Sequence, residues 1–91
     1  MIRSGIAVVR GRVQGVGYRY SAQNKARSLG LRGWIRNEMD GSVTTRFEGT
    51  EAPFESYLEW LSEGPSFASV SSVEFRELSP DSELGTFRVS F

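Results

Sequence analysis

Gly11-Arg12-Val13-Gln14-Gly15-Val16-Gly17-Tyr18-Arg19 holds the residues of this chain best suited to chemistry. The stretch follows an apolar run with strand alternation and precedes a run with helical spacing. A glycine loop at a strand-to-helix junction exposes backbone N–H groups, and the helix start adds the positive end of its dipole. Arg19 closes the loop with a planar fork of donors that matches phosphoryl oxygens. Gln14, Gly15, Val16, Gly17, Tyr18 and Arg19 therefore read as a phosphate cradle.

Composition limits what is done to that phosphate. The chain has no Cys and no His, which excludes a thiolate nucleophile, disulfides, an imidazole base and Cys- or His-based metal sites. Its acids show no D-x-D or comparable clustering, so no metal or other cofactor is expected. Eleven basic residues balance eleven acidic ones, which argues against an electrostatic nucleic-acid or anionic-membrane binder. The balance is uneven along the chain. Arg3, Arg10, Arg12, Arg19, Lys25, Arg27, Arg32 and Arg36 come before the first acid, Glu38. A basic first half suits a small anionic substrate, and a solvated basic face would look the same.

Several elements must position the loop. Residues 6–13 read as a strand with Ala7, Val9, Gly11 and Val13 on one face. Residues 19–29 read as a helix with Ala22, Ala26 and Leu29 aligned and Gly30 ending it. Residues 32–38 form a second strand. Asp40-Gly41 signals a hairpin in which both central positions tolerate positive φ, and 42–48 returns. Thr50-Glu51-Ala52-Pro53 opens a second helix with a Phe54, Tyr57, Leu58, Leu61 stripe, stopped at Gly64-Pro65. Residues 70–78 form a strand whose alternation slips between Val70 and Val73, as at a bulge. Pro80-Asp81-Ser82 is a turn and 86–91 a last strand. The order is βαββαβ plus a short final strand, an α+β ferredoxin-like sandwich: an antiparallel sheet with two helices packed on one face. One domain over residues 1–91 is expected, with no linker, repeat or membrane-spanning run. The N-terminus has no secretory pattern, so a cytoplasmic protein is expected.

Two of these stretches carry a family pattern. Gly11 to Arg19, together with Gly33-Trp34-Ile35-Arg36-Asn37-Glu38-Met39-Asp40-Gly41-Ser42-Val43, resembles acylphosphatase, and Gly64-Pro65 followed by Ala68 and Val70 is a third, weaker match. The resemblance spans roughly Ile6 to Phe91. It implies metal-free hydrolysis of carboxyl phosphates. In it, the N–H groups from Gly15 to Arg19 hold the phosphoryl oxygens, Arg19 binds them by charge, and Asn37 positions the attacking water. Two departures stand out: Thr44 where the family often has an acid, and Phe91 where it often ends in Tyr. Neither belongs to the loop or to the Arg/Asn pair. The chemistry is coherent without His, Cys or metal. An acyl phosphate leaves as a carboxylate, so positioning and charge stabilisation suffice.

Plainer readings exist for each part. The glycine loop alone reads as a tight turn, Arg19 as a surface arginine and Asn37 as a turn residue before Asp40-Gly41. Trp34 and the second-helix stripe read as core and packing, and Arg10, Arg12, Arg32 and Arg36 as solvated faces. An RNA-binding module shares the element order but needs stacking aromatics and a basic pattern on its third strand. Here that strand is Ser42-Val43-Thr44-Thr45-Arg46-Phe47. A non-catalytic ligand-sensing module shares the order as well. The start Met and 91 residues lead us to expect a free-standing enzyme acting on a small acyl phosphate, and the absence of an obvious extra apolar face a monomer.

Overall fold

Strand β1 runs from Ile2 to Arg12 through the middle of the sheet. It begins at Ile2 rather than Ile6, because polar side chains hid its first residues from an apolar-alternation reading. Arg3 is ion-paired to both Glu55 and Glu77. Ser4, buried, donates to Glu48 Oε1 (2.8 Å) and accepts from Arg46 Nη1 (2.5 Å). The computed structural model describes residues 1–91. After β1 come α1 (Tyr18–Ser28), β2 (Arg32–Asn37), β3 (Val43–Thr50), α2 (Glu51–Leu61), β4 (Ser69–Leu78) and β5 (Arg88–Val89).

The strands lie in the order β4-β1-β3-β2-β5. Each neighbouring pair among the first four is antiparallel, as the hairpin and element order require. β5 departs from that pattern and runs parallel to β2, pairing Trp34 with Arg88 and Ile35 with Val89. The expected last strand, 86–91, shrinks to these two residues. Thr86 makes only an isolated antiparallel bridge to Arg32, and Phe87 turns fully into the core. The slip in β4 is a bulge. Arg10 pairs with Ser72 and Gly11 with Val70, which leaves Ser71 as the extra residue.

The β2–β3 turn forms at Asp40-Gly41 but not with two positive-φ residues. Only Gly41 has positive φ, at 93°. Its N–H donates to Glu38 O (3.2 Å) and the Glu38 N–H donates to Ser42 O (2.8 Å), so the loop is wider than a two-residue turn. Asp40 has no positive φ, and its Oδ1 accepts from both the Ser42 N–H (2.9 Å) and the Ser42 hydroxyl (2.6 Å).

The core lies between the helices and one face of the sheet. Ala7 and Val9 of β1, Ile35 of β2 and Val43 and Phe47 of β3 meet Ala22 and Ala26 of α1 and Phe54, Tyr57 and Leu61 of α2. Phe47 makes aromatic contacts with Phe54 and Tyr57, at centroid separations of 4.7 and 4.8 Å. Leu58, the fourth member of the stripe, is half-buried at the margin. Trp34 is not part of this core. It faces the other side of the sheet, with the Arg36 guanidinium 4.7 Å over its ring. That side is partly covered too: the chain after β4 crosses it, held by Arg46 to Ser79 O (3.3 Å) and by the Asp81 N–H to Glu48 (2.7 Å).

Candidate active site

The glycine stretch straddles the end of β1 and the start of α1, as its composition requires. Gly15 and Gly17 both adopt left-handed φ, 74° and 79°, and Gly17 is the N-cap of α1. No side chain caps the helix. The Val13 N–H closes on Gly11 O (3.1 Å) and the Ser21 N–H on Gly17 O (3.0 Å), while the N–H groups of residues 14–20 have no acceptor. The left-handed kinks at Gly15 and Gly17, one on each side of Val16, thus lie within a run of free donors. With the uncapped helix N-terminus beside them, these donors are of the kind that suits an anion.

Both ends of the loop are pinned. At its exit Tyr18 is buried, its hydroxyl donates to Leu61 O (2.7 Å) and its ring lies against Trp60 (5.4 Å between centroids). Burial holds the Tyr18 phenol well above the ordinary tyrosine range, so it is a neutral anchor. Val16 is half-buried against the core. At the entry, Gln14 does something sequence reasoning missed. Its side-chain amide reaches the β2–β3 hairpin and donates to Glu38 O (2.8 Å) and Ser42 O (2.9 Å). Glutamine within a glycine loop is a signal for such a tether, but only the fold shows which carbonyls it reaches.

Arg19, in the first turn of α1, is half-buried and has no carboxylate partner. Arg10 and Arg36, by contrast, pair with Glu74 and Glu38. The Arg19 guanidinium lies 5.2 Å from the centre of the Phe91 ring. The C-terminal departure from the family pattern therefore touches the site, which sequence alone did not reveal. α1 itself brings Phe91 there: Arg27 Nε donates to Phe87 O (2.7 Å) and Gln23 Oε1 accepts from the Val89 N–H (2.8 Å). Asn37 closes β2, exposed, opposite Val43 of β3. Its side chain makes no protein hydrogen bond and is free to hold a water. The nearby Thr44 hydroxyl and the Arg36 guanidinium, which donates to Glu38 Oε2 (3.0 Å), hold the Glu38 carboxyl below its usual range.

The fold and these residues define a class: α+β ferredoxin-like sandwiches that carry free N–H donors, an arginine without an acid partner and a free amide at one end of the sheet. The acylphosphatase family model matches residues 6–89. The chain is 50% identical over 82 residues to the acylphosphatase of Acaryochloris marina, covering 90% of this chain and 84% of that one. It superposes on the acylphosphatase of Bacillus subtilis with a TM-score of 0.91 at 34% identity, over 100% of both chains. Against the acylphosphatase of Coxiella burnetii the TM-score is 0.92 at 36% identity, over 98% of this chain and 93% of that one. The chain belongs to the acylphosphatase family.

Proposed function

We propose that the cradle, Arg19 and Asn37 hydrolyse the carboxyl–phosphate bond of a small acyl phosphate without a metal. The family gives the reaction class, an enzyme acting on acyl phosphates. The division of labour rests on one observation: unpaired N–H groups along residues 14–20 stand beside an arginine with no acid partner. The N–H groups from Gly15 to Arg19 take the phosphoryl oxygens, and the Arg19 guanidinium neutralises their charge. Asn37 orients a water opposite the leaving oxygen. The water attacks phosphorus and the bond from phosphorus to the acyl oxygen breaks. The electron pair leaves on the carboxylate, and the water's proton ends on the new phosphate. A carboxylate leaving group needs no general acid, so the charge that spreads over the phosphoryl oxygens is the main quantity to stabilise.

No group of three or more acidic side chains gathers in the fold, and this reading assigns the charge stabilisation to the N–H groups and Arg19. The RNA-binding alternative loses its footing at Phe47. This is the sole aromatic of β3, and it is buried under the helices rather than displayed for stacking. No helix is long and apolar enough to cross a membrane. A cytoplasmic monomer with no nucleic-acid partner completes the reading.

The test is hydrolysis of an aromatic acyl phosphate by the purified protein, followed by loss of absorbance, with a phosphate monoester as control. The acyl phosphate should turn over equally before and after exhaustive chelation, and the monoester should not. Activity lost to EDTA and restored by Mg²⁺ would replace this reading with a metal-assisted one.

A further inference from the structure

The cradle and Asn37 come from strands that do not touch. β1 leads into the cradle and β2 ends at Asn37, with β3 lying between them in the sheet. Loop residues 13–17 make one hydrogen-bonded link to the hairpin that carries Asn37, and that link is Gln14. Both its Nε2 protons are used, one on Glu38 O at 2.8 Å and one on Ser42 O at 2.9 Å. These carbonyls sit on opposite rails of the hairpin. Glu38 directly follows Asn37, and Ser42 directly precedes Val43, the residue paired with Asn37. The hairpin is itself rigid at this point, through Glu38 N–H to Ser42 O and the two bonds from Ser42 to Asp40.

We propose that Gln14 is a positioning residue: its side-chain amide clamps the phosphate cradle to the hairpin and so sets where the Asn37 amide stands relative to the bound phosphoryl group. The proposal rests on the water-orienting role of Asn37 given above. It separates two jobs at one residue. The backbone of Gln14 belongs to the loop, and its side chain serves the second catalytic group. In-line attack tolerates little misplacement, and an error of about 1 Å in a reacting group costs up to about 100-fold in rate.

Two variants of the whole chain test this. Gln14→Met keeps the length and removes both donors. Gln14→Glu keeps the shape and sets an oxygen against two carbonyl oxygens. Rates are compared per folded molecule, with the folded fraction taken from urea melts. Both variants should lose about 10- to 100-fold in kcat. Inhibition by inorganic phosphate should hold within about threefold, because its donors are backbone groups. The deciding readout is a double-mutant cycle with Asn37→Ala. If Gln14 acts through Asn37, adding Gln14→Met to Asn37→Ala should cost less than about twofold more.

A normal kcat in Gln14→Met and Gln14→Glu would overturn the proposal. So would a fully additive cycle, or phosphate affinity falling in step with kcat, which would make Gln14 part of the cradle alone. Any of these leaves the Asn37 reading standing. A normal kcat in Asn37→Ala by itself would remove the role of Asn37 and this proposal with it.

Discussion

In the function proposed above Arg19 supplies the positive charge, and it has no acid partner to compete for that charge. Arg19→Lys keeps the charge and loses the fork, so two phosphoryl oxygens can no longer be held side by side. The expected loss is about 2–4 kcal/mol of transition-state stabilisation, or about 30- to 1000-fold in kcat/KM, with the urea midpoint little changed. Near-normal kinetics with a large fall in stability would make Arg19 structural. The Phe91 ring 5.2 Å from the guanidinium gives a second, smaller expectation. Removing Phe91 should lower kcat/KM by about two- to fivefold, in line with an exposed cation–π contact of about 0.5–1 kcal/mol. An unaffected rate constant in the truncated chain would show that the ring does not hold the arginine. Arg19, Asn37 and the glycines could be singled out in sequence because they lie in two short contiguous motifs. Phe91 and the side chain of Gln14 were not, because their partners lie far away in sequence.

The junction between β1 and the cradle depends on the bulge in β4. Gly11 has φ 128°, and a Cβ there would stand 2.2 Å from Ser69 O and 2.7 Å from Ser71 N. Both atoms are backbone, so no side chain can move aside. Gly11→Ala should therefore cost at least about 2 kcal/mol, read from a urea melt, and should also lower kcat by shifting the start of the loop. A melt within about 0.5 kcal/mol of the parent would mean that β4 yields at the bulge. The bulge was visible in sequence as the slip between Val70 and Val73. Its pairing with Gly11 was not, because register across strands is set by which residues the whole sheet can bury.

At the scale of the molecule, stability should be flat near neutrality and fall at both extremes of pH. Glu77 is held below its usual range by the Arg3 guanidinium, and Asp40 by the Ser42 hydroxyl. Glu38 is lowered by Thr44 and Arg36. A carboxyl whose folded pKa is depressed adds stability above its unfolded pKa and loses it as pH falls through the folded one. The loss therefore sets in below about pH 4 to 5. Tyr57 and Tyr18 are raised chiefly by burial. Their contribution is full below about pH 10, where unfolded tyrosines begin to ionise, and declines above it. With no His and no Cys, no side chain titrates between these limits. Thermal melts from pH 3 to 11 should show that plateau. A sag in Tm between pH 5 and 8 would contradict it.

The element order, the helical stripe and the glycine loop followed from sequence, because period, turn chemistry and glycine placement act over a few residues. The tertiary structure decided what depends on residues far apart. It carried β1 back to Ile2 across polar residues and buried Arg46 and Glu48 under the chain that follows β4. It turned β5 parallel to β2, moved Trp34 out of the core, and set Phe91 beside Arg19. It also tied the cradle to the Asn37 hairpin through Gln14. A sequence records which residues can bond. Which of them meet depends on how two helices and five strands close over a single core, and each of these contacts exists only once that closure is complete.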